Sequence, residues 1–235
     1  MLCRKCGLAD EGVQMVRGKG PLDAEIMLIG EAPGYEENKE GEPFIGPAGR
    51  LLTKHLERAG ISRQEVFITN TVKCKPPGNR NPTYAETVAC KEHLMREIVS
   101  VRPRIIVLMG RIAIKALSGR QGSMKKLHGV VVHLTIAVKD DKDSTPLDVT
   151  AILTYHPAAE LYSPFYEQFI DEDWKKIRGL LMEKKTTVQI PQDLDERKKE
   201  LSVKKINLEG EHDDNAGGTK EGASQGVTQG ESKQA

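Results

Sequence analysis

The feature that most constrains the fold is a regular alternation of short apolar segments with patterns of helical spacing. The apolar segments span residues 24–30, 66–70, 104–109, 130–138 and 149–154. The helical patterns span residues 47–59, 83–101, 111–117 and 166–183. Short apolar segments are typical of buried strands, and strands that alternate with helices form parallel sheets covered on both faces. The sequence therefore predicts an α/β fold, a three-layer α/β/α sandwich with a mostly parallel central sheet.

Turn and cap residues mark where these elements begin and end. Gly60 ends the first helical pattern, and Thr83 with Glu86 forms a capping box that begins the second. Residues 75–82 contain three prolines and a glycine, which predicts a loop. A loop is also expected from Gly30 to Gly46.

Composition divides the chain into a domain and a tail. The 38% of hydrophobic residues can bury one core, and residues 1–185 are predicted to form a single domain. Residues 186–235 are rich in Lys, Glu, Gln, Gly and Ser and contain no aromatic residue. Such a segment cannot form a core, so we expect a flexible, disordered tail that either binds a partner or is only solvated.

The overall charge does not indicate a function. A net charge of +1 is low for a protein that neutralises many phosphates. Acidic residues are abundant in the tail, however, so the predicted domain is more basic than the total. No apolar run reaches the ~18 residues of a membrane span. With no apolar stretch after the first charged residues, we expect a cytoplasmic protein with no membrane association.

The four cysteines are arranged as two pairs. Cys3 and Cys6 lie close together, whereas Cys74 and Cys90 follow far downstream. In a reducing compartment these thiols do not form a disulfide framework, so a metal centre is favoured over four unrelated buried cysteines. Four thiolates suit a zinc ion and a [4Fe–4S] cluster equally, and the spacing leaves both open.

The loop after the first strand is made of small residues. In Gly30-Glu31-Ala32-Pro33-Gly34 these residues would let a ligand approach the backbone. The loop lacks the Gly-Lys-Ser/Thr of a P-loop and the G-x-G-x-x-G of a dinucleotide fold, which disfavours nucleotide-dependent enzymes. Further on, Phe44 either plugs the core or serves as a stacking platform for a base. The backbone amides of residues 46–49, at a helix start, could hold a phosphate.

Polar side chains follow two other predicted strands. Asn70 ends the second strand, and His156 follows the last one. Ligands of parallel sheets bind beyond the carboxyl ends of the strands, so the loops after Ile29, Asn70 and Tyr155 are where a site is expected. The Asn amide offers a donor and an acceptor to the edge of a base, and the His offers an N–H to a developing oxyanion.

Taken together, these motifs resemble type-4 uracil-DNA glycosylases of bacteria and archaea. The resemblance runs from Cys3 to about Trp174. It implies an enzyme that hydrolyses the N-glycosidic bond of deoxyuridine in single- and double-stranded DNA, leaving an abasic site for base excision repair. It also implies a monomer, a tail partner from replication or repair, and a [4Fe–4S] cluster on Cys3, Cys6, Cys74 and Cys90. The motifs are GEAPG at 30–34, PFIGPAG at 43–49, TNTVKCKPPGNR at 69–80 and HPAA at 156–159.

The resemblance further implies roles for single residues. Gly30, Glu31 and Ala32 would contact uracil, Phe44 would stack on it, and Asn70 would recognise its polar edge. His156 would stabilise the oxygen of the leaving uracil. Ala32 occupies the place where some other uracil glycosylases have an acidic residue that activates water, so Glu37 and Asn79 become candidates for positioning or activating it. Glu31, Asn70 and His156 are the other catalytic candidates.

Several basic residues are candidates for contacts with DNA. Lys73, Lys75, Arg80 and the segment 125–129 could bind phosphates or fill the space of a flipped nucleotide. Two alternatives to the main hypothesis remain open from the sequence. One is a related glycosylase that also accepts hypoxanthine or xanthine, and the other is a non-enzymatic module whose four cysteines bind zinc.

Overall fold

The computed structural model describes residues 3–9, 13–136 and 146–183. Five strands form one sheet in the order β2-β1-β3-β5-β4. All neighbouring pairs are parallel except β4 with β5, which is antiparallel. The predicted α/β/α architecture with a mostly parallel sheet is therefore confirmed. The strands are β1 (Ile26–Gly30), β2 (Val66–Asn70), β3 (Ile105–Met109), β4 (Val131–Ile136) and β5 (Leu147–Thr154).

Helices cover both faces of the sheet. The helices are α1 (Tyr35–Glu40), α2 (Pro47–Arg58), α3 (Tyr84–Val101), α4 (Arg111–Ser118), α5 (Met124–Leu127), α6 (Ala159–Tyr162) and α7 (Glu167–Met182). Short 3-10 turns occur at Gly7–Ala9, Arg63–Glu65, Pro77–Asn79 and Pro164–Tyr166. In the part of the chain that the structure describes, no helix is both long enough and apolar enough to cross a membrane.

The central strands are buried on both faces because alternate residues enter two different cores. In β1, Met27 and Ile29 pack into the core that contains the apolar residues of α3 and α4. Ile26 and Leu28 pack into the core that contains those of α2 and α7. Side chains of a strand alternate between the faces of a sheet, so an unbroken apolar run is what a strand between two helical layers requires.

The predicted helix starts and ends agree closely with the structure. α3 begins with the capping box: Thr83 Oγ1 accepts from Glu86 N–H at 3.2 Å, and Glu86 accepts from Thr83 N–H at 2.7 Å. Sequence reasoning was wrong on the stretch between Gly30 and Gly46, which contains the short helix α1. The predicted charged turn at 139–146 and the predicted tail at 186–235 lie outside the described residues, except for Pro146.

Candidate active site

Residues from four strand ends converge at the carboxyl edge of the sheet. Gly30 and Asn70 are paired in the parallel register of β1 and β2. A Cβ on Gly30 would lie 2.4 Å from Phe44 Cζ and 2.6 Å from Asn70 Oδ1, so only glycine allows both side chains to approach this backbone. A Cβ on Gly110, which follows β3, would lie 3.1 Å from His156 Cβ.

Phe44 and His156 complete this cluster. Their ring centroids are 5.6 Å apart, with 34° between the ring planes. The structure therefore brings together Gly30, Phe44, Asn70 and His156, which we call the strand-end site. These four residues come from separate motifs of the sequence, and their proximity agrees with the prediction that ligands bind at this edge.

Asn70 has a buried polar atom without a partner. Its side chain is in the core, with only 2% of the residue exposed. Oδ1 is the one buried side-chain oxygen or nitrogen in the described residues that lacks a hydrogen bond. Leaving a buried acceptor unpaired is unfavourable, and native proteins keep such atoms where they have a functional role, store strain or bind a water or an ion. The amide of Asn70 is thus available to a polar group that enters the site.

The loop that carries Phe44 is held rigidly. Phe44 has a φ of 55°, a left-handed conformation that is uncommon for a bulky residue. Arg63 Nη2 donates to Pro43 O at 3.1 Å and to Phe44 O at 2.7 Å. A Cβ on Gly49 would lie 1.8 Å from Phe44 O, so the first turn of α2 packs directly on this backbone. These contacts fix the ring of Phe44, which is only 4% exposed and packs into the core that contains the apolar residues of α2 and α7. The described contacts agree with the core alternative, and stacking on a base stays a prediction.

Glu37 joins the two loops of the site. Its carboxylate is buried and accepts from Gly34 N–H at 3.1 Å through Oε2 and from Gly46 N–H at 2.8 Å through Oε1. Both oxygens are therefore engaged by the backbone, and the amide of Gly46 is occupied by Glu37 instead of being free for a phosphate. A role of Glu37 in activating water stays a prediction. The contacts show a brace between the loop after β1 and the start of α2.

His156 is neutral at pH 7 and offers a donor. Burial lowers its pKa to about 4. Its Nδ1 accepts from Ala158 N–H at 3.2 Å, which places the ring proton on Nε2. A neutral imidazole with a fixed Nε2–H can stabilise negative charge without transferring a proton.

Glu31 and Ala32 lie in the loop after β1. Glu31 is half-buried; burial raises the pKa of its carboxyl, and the nearby Arg111 opposes this shift. Glu31 O accepts from Val72 N–H at 3.1 Å, which ties the loop to the segment after β2. Ala32 packs against the apolar cluster around two of the cysteines.

Asn79 makes no described contact with the strand-end site. It is exposed in the 3-10 turn at Pro77–Asn79 with a φ of 55°, and its backbone N–H donates to Pro76 O at 3.3 Å. Among the described residues, no hydrogen bond connects its side chain to Phe44, Asn70 or His156. Its proposed role in catalysis stays a prediction.

The four cysteines line one small cavity. Cys3 and Cys6 come from the N-terminal segment, Cys74 follows β2, and Cys90 lies on α3. All four are free thiols. Burial, with a smaller effect of the other cysteines, raises the pKa of Cys74 to about 11. We call this cluster the cysteine site.

The donors around the cysteine site suit bound thiolates. Lys73 N–H donates to Cys90 Sγ at 3.2 Å, and His93 Nε2 lies 3.4 Å from Cys3 Sγ. A thiol with a raised pKa is protonated at neutral pH, and coordination to a metal would favour its ionisation. In the described ranges, no three His, Cys, Asp or Glu side chains converge on one point as a single metal ion requires. The described residues therefore show four free thiols around one cavity, and the identity of the group they would hold belongs to the proposal below.

Two of the candidate DNA-binding residues form ion pairs within the protein, one buried and one exposed. Lys73 is buried and forms an ion pair with Glu97 at 2.6 Å, so the expectation that it binds phosphate is wrong. Arg80 makes a two-pronged contact with Glu86, at 2.8 and 2.6 Å, and its hydrogen bonds lower the pKa of Glu86 to about 2. Lys125 and Lys126 are exposed and remain candidates.

Exposed apolar side chains after His156 escaped sequence reasoning. Leu161 is 53% exposed, Tyr162 89% and Phe165 62%. They lie on α6 and in the turn that follows, a few residues beyond the strand-end site. The signal that could have revealed them is a run of apolar residues in a proline-containing segment too short to form a core helix.

The amino-acid sequence is similar to those of known proteins. The model of the uracil DNA glycosylase superfamily matches residues 17–178. A type-4 uracil-DNA glycosylase of Sulfurisphaera tokodaii is 43% identical over 183 residues, which cover 76% of this chain and 80% of the relative. One of Archaeoglobus fulgidus is 38% identical over 188 residues, 80% of this chain and 92% of the relative. A type-5 uracil-DNA glycosylase of Pyrobaculum aerophilum is 34% identical over 163 residues, 60% of this chain and 71% of the relative.

Proposed function

The chain belongs to the uracil DNA glycosylase superfamily, together with the type-4 enzymes, and we propose that it hydrolyses the N-glycosidic bond of deoxyuridine in DNA. The products are free uracil and an abasic site, which place the protein in base excision repair. The observation that carries the proposal is the unpaired, buried Oδ1 of Asn70 beside Phe44.

Asn70 and Phe44 account for recognition of the base. Uracil presents an N–H next to a carbonyl oxygen, and the amide of Asn70 offers an acceptor and a donor to that edge. Oδ1 accepts no hydrogen bond from the described residues, so the N–H of uracil would be its donor. The ring of Phe44 would stack on the base once it has entered the site, and since stacking accepts any base, hydrogen bonding to Asn70 would contribute the selectivity.

His156 accounts for departure of the base. Cleavage of the N-glycosidic bond leaves an anionic uracil and an oxocarbenium-like sugar. Nε2–H of His156 would donate to the uracil oxygen where negative charge develops, and burial, which lowers the pKa of His156 to about 4, makes the ring a neutral donor before the base enters. Electrostatic stabilisation by a fixed donor needs no reorganisation during the reaction. Water then attacks the sugar, with Glu37 and Asn79 as the proposed candidates for positioning it, while Glu31 would contact the uracil.

The exposed apolar residues after His156 suit entry into duplex DNA. A base must leave the stack before it can reach the strand-end site, which costs a few kcal/mol in a duplex. Apolar side chains that insert between bases offset this cost. Leu161 and Tyr162 are exposed and lie just beyond His156, so we propose that they act as the wedge.

We further propose that Cys3, Cys6, Cys74 and Cys90 hold a [4Fe–4S] cluster. When bound, such a cluster supplies iron–sulfur bonds that tie the N-terminal segment to the loop after β2 and to α3. The cysteines lie apart from the strand-end site, so the proposed role is structural. Iron and zinc analysis with a visible absorption spectrum tests it: iron and a brown colour are expected, whereas a colourless zinc protein would contradict it.

The activity itself is tested by release of uracil from defined oligonucleotides. Single strands and duplexes with one uracil should both yield free uracil, while cytosine in the same position should not. Parallel substrates with hypoxanthine and xanthine test the broader base range that the type-5 relative leaves open. If folded, iron-loaded protein released no uracil from either single strands or duplexes, the proposal would be refuted.

Three further expectations from the sequence remain proposals. We propose that the protein acts as a monomer, that it works in the cytoplasm at the nucleoid, and that residues 186–235 bind a replication or repair protein. Gel filtration of the full chain and of a chain ending at residue 185 tests the first, and affinity capture with the tail alone tests the third.

A further inference from the structure

Lys73 is buried in a place where a lysine would ordinarily be unfavourable. Only 1% of the residue is exposed. A buried ammonium must be paired, and its three N–H groups each need an acceptor. Nζ donates to Thr69 Oγ1 at 2.6 Å, to Asn70 O at 2.7 Å and to Glu97 Oε2 at 2.6 Å. Every donor of the ammonium is therefore used.

The carboxylate of Glu97, the partner of Lys73, is also fixed by several hydrogen bonds. Glu97 projects from α3, and its Oε2 also accepts from the hydroxyl of Thr69 at 2.7 Å. Its Oε1 accepts from Gly18 N–H at 2.8 Å. Thr69 immediately precedes Asn70 in β2, so the ion pair holds two successive residues at the end of the strand.

The backbone of Lys73 forms a hydrogen bond with the cysteine site. Its N–H donates to Cys90 Sγ at 3.2 Å, and its carbonyl accepts from Val16 N–H at 2.7 Å. One residue thus contacts a cysteine sulfur through its backbone and the peptide of Asn70 through its side chain.

Stability alone does not explain this ion pair. Apolar residues of similar volume usually stabilise a core as well as a buried ion pair does, because both charges must be desolvated. Asn70, in contrast, must present its amide at a fixed angle. Its backbone is held on one side by pairing with Gly30, and the only charged group that holds its carbonyl in the described residues is Lys73.

We propose that Lys73 is a positioning residue for uracil recognition, which uses the Glu97 ion pair to fix the Asn70 peptide against the cysteine site. The proposal rests on the proposed function, because it gives Asn70 the task of binding uracil. Loss of the ammonium would leave the Asn70 carbonyl without this donor and allow its peptide to rotate. A displacement of about 1 Å can lower a rate about 10²-fold even when the catalytic groups are intact.

Three variants separate positioning from stability. Lys73→Met removes the ammonium but keeps the length of the side chain. Lys73→Met with Glu97→Gln removes both charges. Ile98→Ala is the matched control, since Ile98 is fully buried on the same helix but packs into the apolar core. Each is assayed for the inhibition constant of free uracil, for kcat and KM on a uracil oligonucleotide, and for the midpoint of thermal unfolding.

Lys73→Met should raise the inhibition constant of uracil about tenfold, the effect of one misplaced hydrogen bond. The double variant should recover the thermal midpoint without recovering the affinity. Ile98→Ala should lower the midpoint and leave the inhibition constant unchanged. A native constant in Lys73→Met, or recovery of affinity in the double variant, would overturn the proposal.

A double-mutant cycle with Asn70→Ala distinguishes this proposal from the function beneath it. If Lys73 acts through Asn70, Lys73→Met should cause no further loss of uracil affinity in the Asn70→Ala background. Native uracil affinity in Asn70→Ala alone would refute the role of Asn70 and with it the proposed recognition. Loss in Asn70→Ala with additive loss in Lys73→Met would refute only the positioning role.

Discussion

The strand-end site and the cysteine site are connected by one short segment, residues 70–74, which begins at Asn70 and ends at Cys74, yet they are built in opposite ways. At the strand-end site Asn70 keeps a buried acceptor without a partner, and His156 keeps a free Nε2–H. At the cysteine site, by contrast, donors from Lys73 and His93 lie within hydrogen-bonding distance of sulfur atoms.

This difference indicates how the two regions divide their work. Unpaired polar groups reduce stability and are retained where a ligand will pair them, whereas satisfied groups hold a structure together. Substitutions in the strand-end site should therefore affect activity more than folding. Substitutions in the cysteine site should affect folding more than activity.

The largest effect is expected from Asn70→Ala. Removal of the amide should lower kcat/KM on the order of 10²–10³-fold, as loss of a fixed hydrogen-bonding group in an active site does. The free energy of unfolding should stay the same or increase, because the variant eliminates an unpaired buried acceptor. Steady-state kinetics and urea unfolding measure the two quantities. If stability fell as much as activity, the strand-end site would not differ from the cysteine site in the proposed way.

His156→Phe should follow closely, with kcat lowered about 10²-fold. Phenylalanine keeps the ring and its packing on Phe44 but cannot donate to the uracil oxygen. His156→Gln restores an N–H and should retain more activity than the Phe variant. Single-turnover rates of the three proteins give the ranking, and equal rates for the Phe and Gln variants would argue against a donor role.

The pH dependence of stability gives an independent check on the same residue. Burial lowers the pKa of His156 from 6.5 to about 4, so between these pH values the unfolded chain binds more protons than the folded one. The contribution of His156 is fully present above pH 6.5 and is lost as pH falls towards 4. Thermal midpoints measured across this window should fall less steeply in His156→Phe than in the native chain.

A smaller effect should distinguish two cysteines. Cys90 is buried and accepts from Lys73 N–H, whereas Cys3 is partly exposed and contacts His93. Both Cys90→Ser and Cys3→Ser should lower iron content and the thermal midpoint. Only Cys90→Ser should also weaken uracil binding, about tenfold, which corresponds to ~1.4 kcal/mol. Equal uracil affinities in two folded variants would mean that the cysteine site does not influence Asn70.

The sequence predicted the sheet and most of the strand-end site because these depend on local patterns. Unbroken apolar runs mark strands covered on both faces, and the residues that end parallel strands necessarily meet at one edge, as Gly30 and Asn70 do. The capping box at Thr83 was readable for the same reason, since both of its residues are close in sequence.

Contacts between distant residues were not predictable in this way. Lys73 was expected on the surface, as most lysines are, and no spacing rule connects it to Glu97 on α3. Arg80 is exposed, and its expected contact with DNA stays a prediction, whereas its pairing with Glu86 depends on how the proline-rich loop folds back on the helix start. The brace formed by Glu37 was hidden because Glu37 lies in a run of charged residues that is typical of a solvated surface.

Glu37→Gln should give the smallest effect and decide between two roles for this residue. As a brace, Glu37 accepts from the N–H groups of Gly34 and Gly46, and a glutamine turns one acceptor into a donor. Stability should then fall by about 1–3 kcal/mol, with KM raised a few-fold and kcat nearly retained. As a general base, Glu37 would instead contribute on the order of 10²-fold or more to kcat. Because both carboxylate oxygens are occupied by backbone donors, we expect the first result, and a selective loss of kcat with native stability would move Glu37 into the catalytic group.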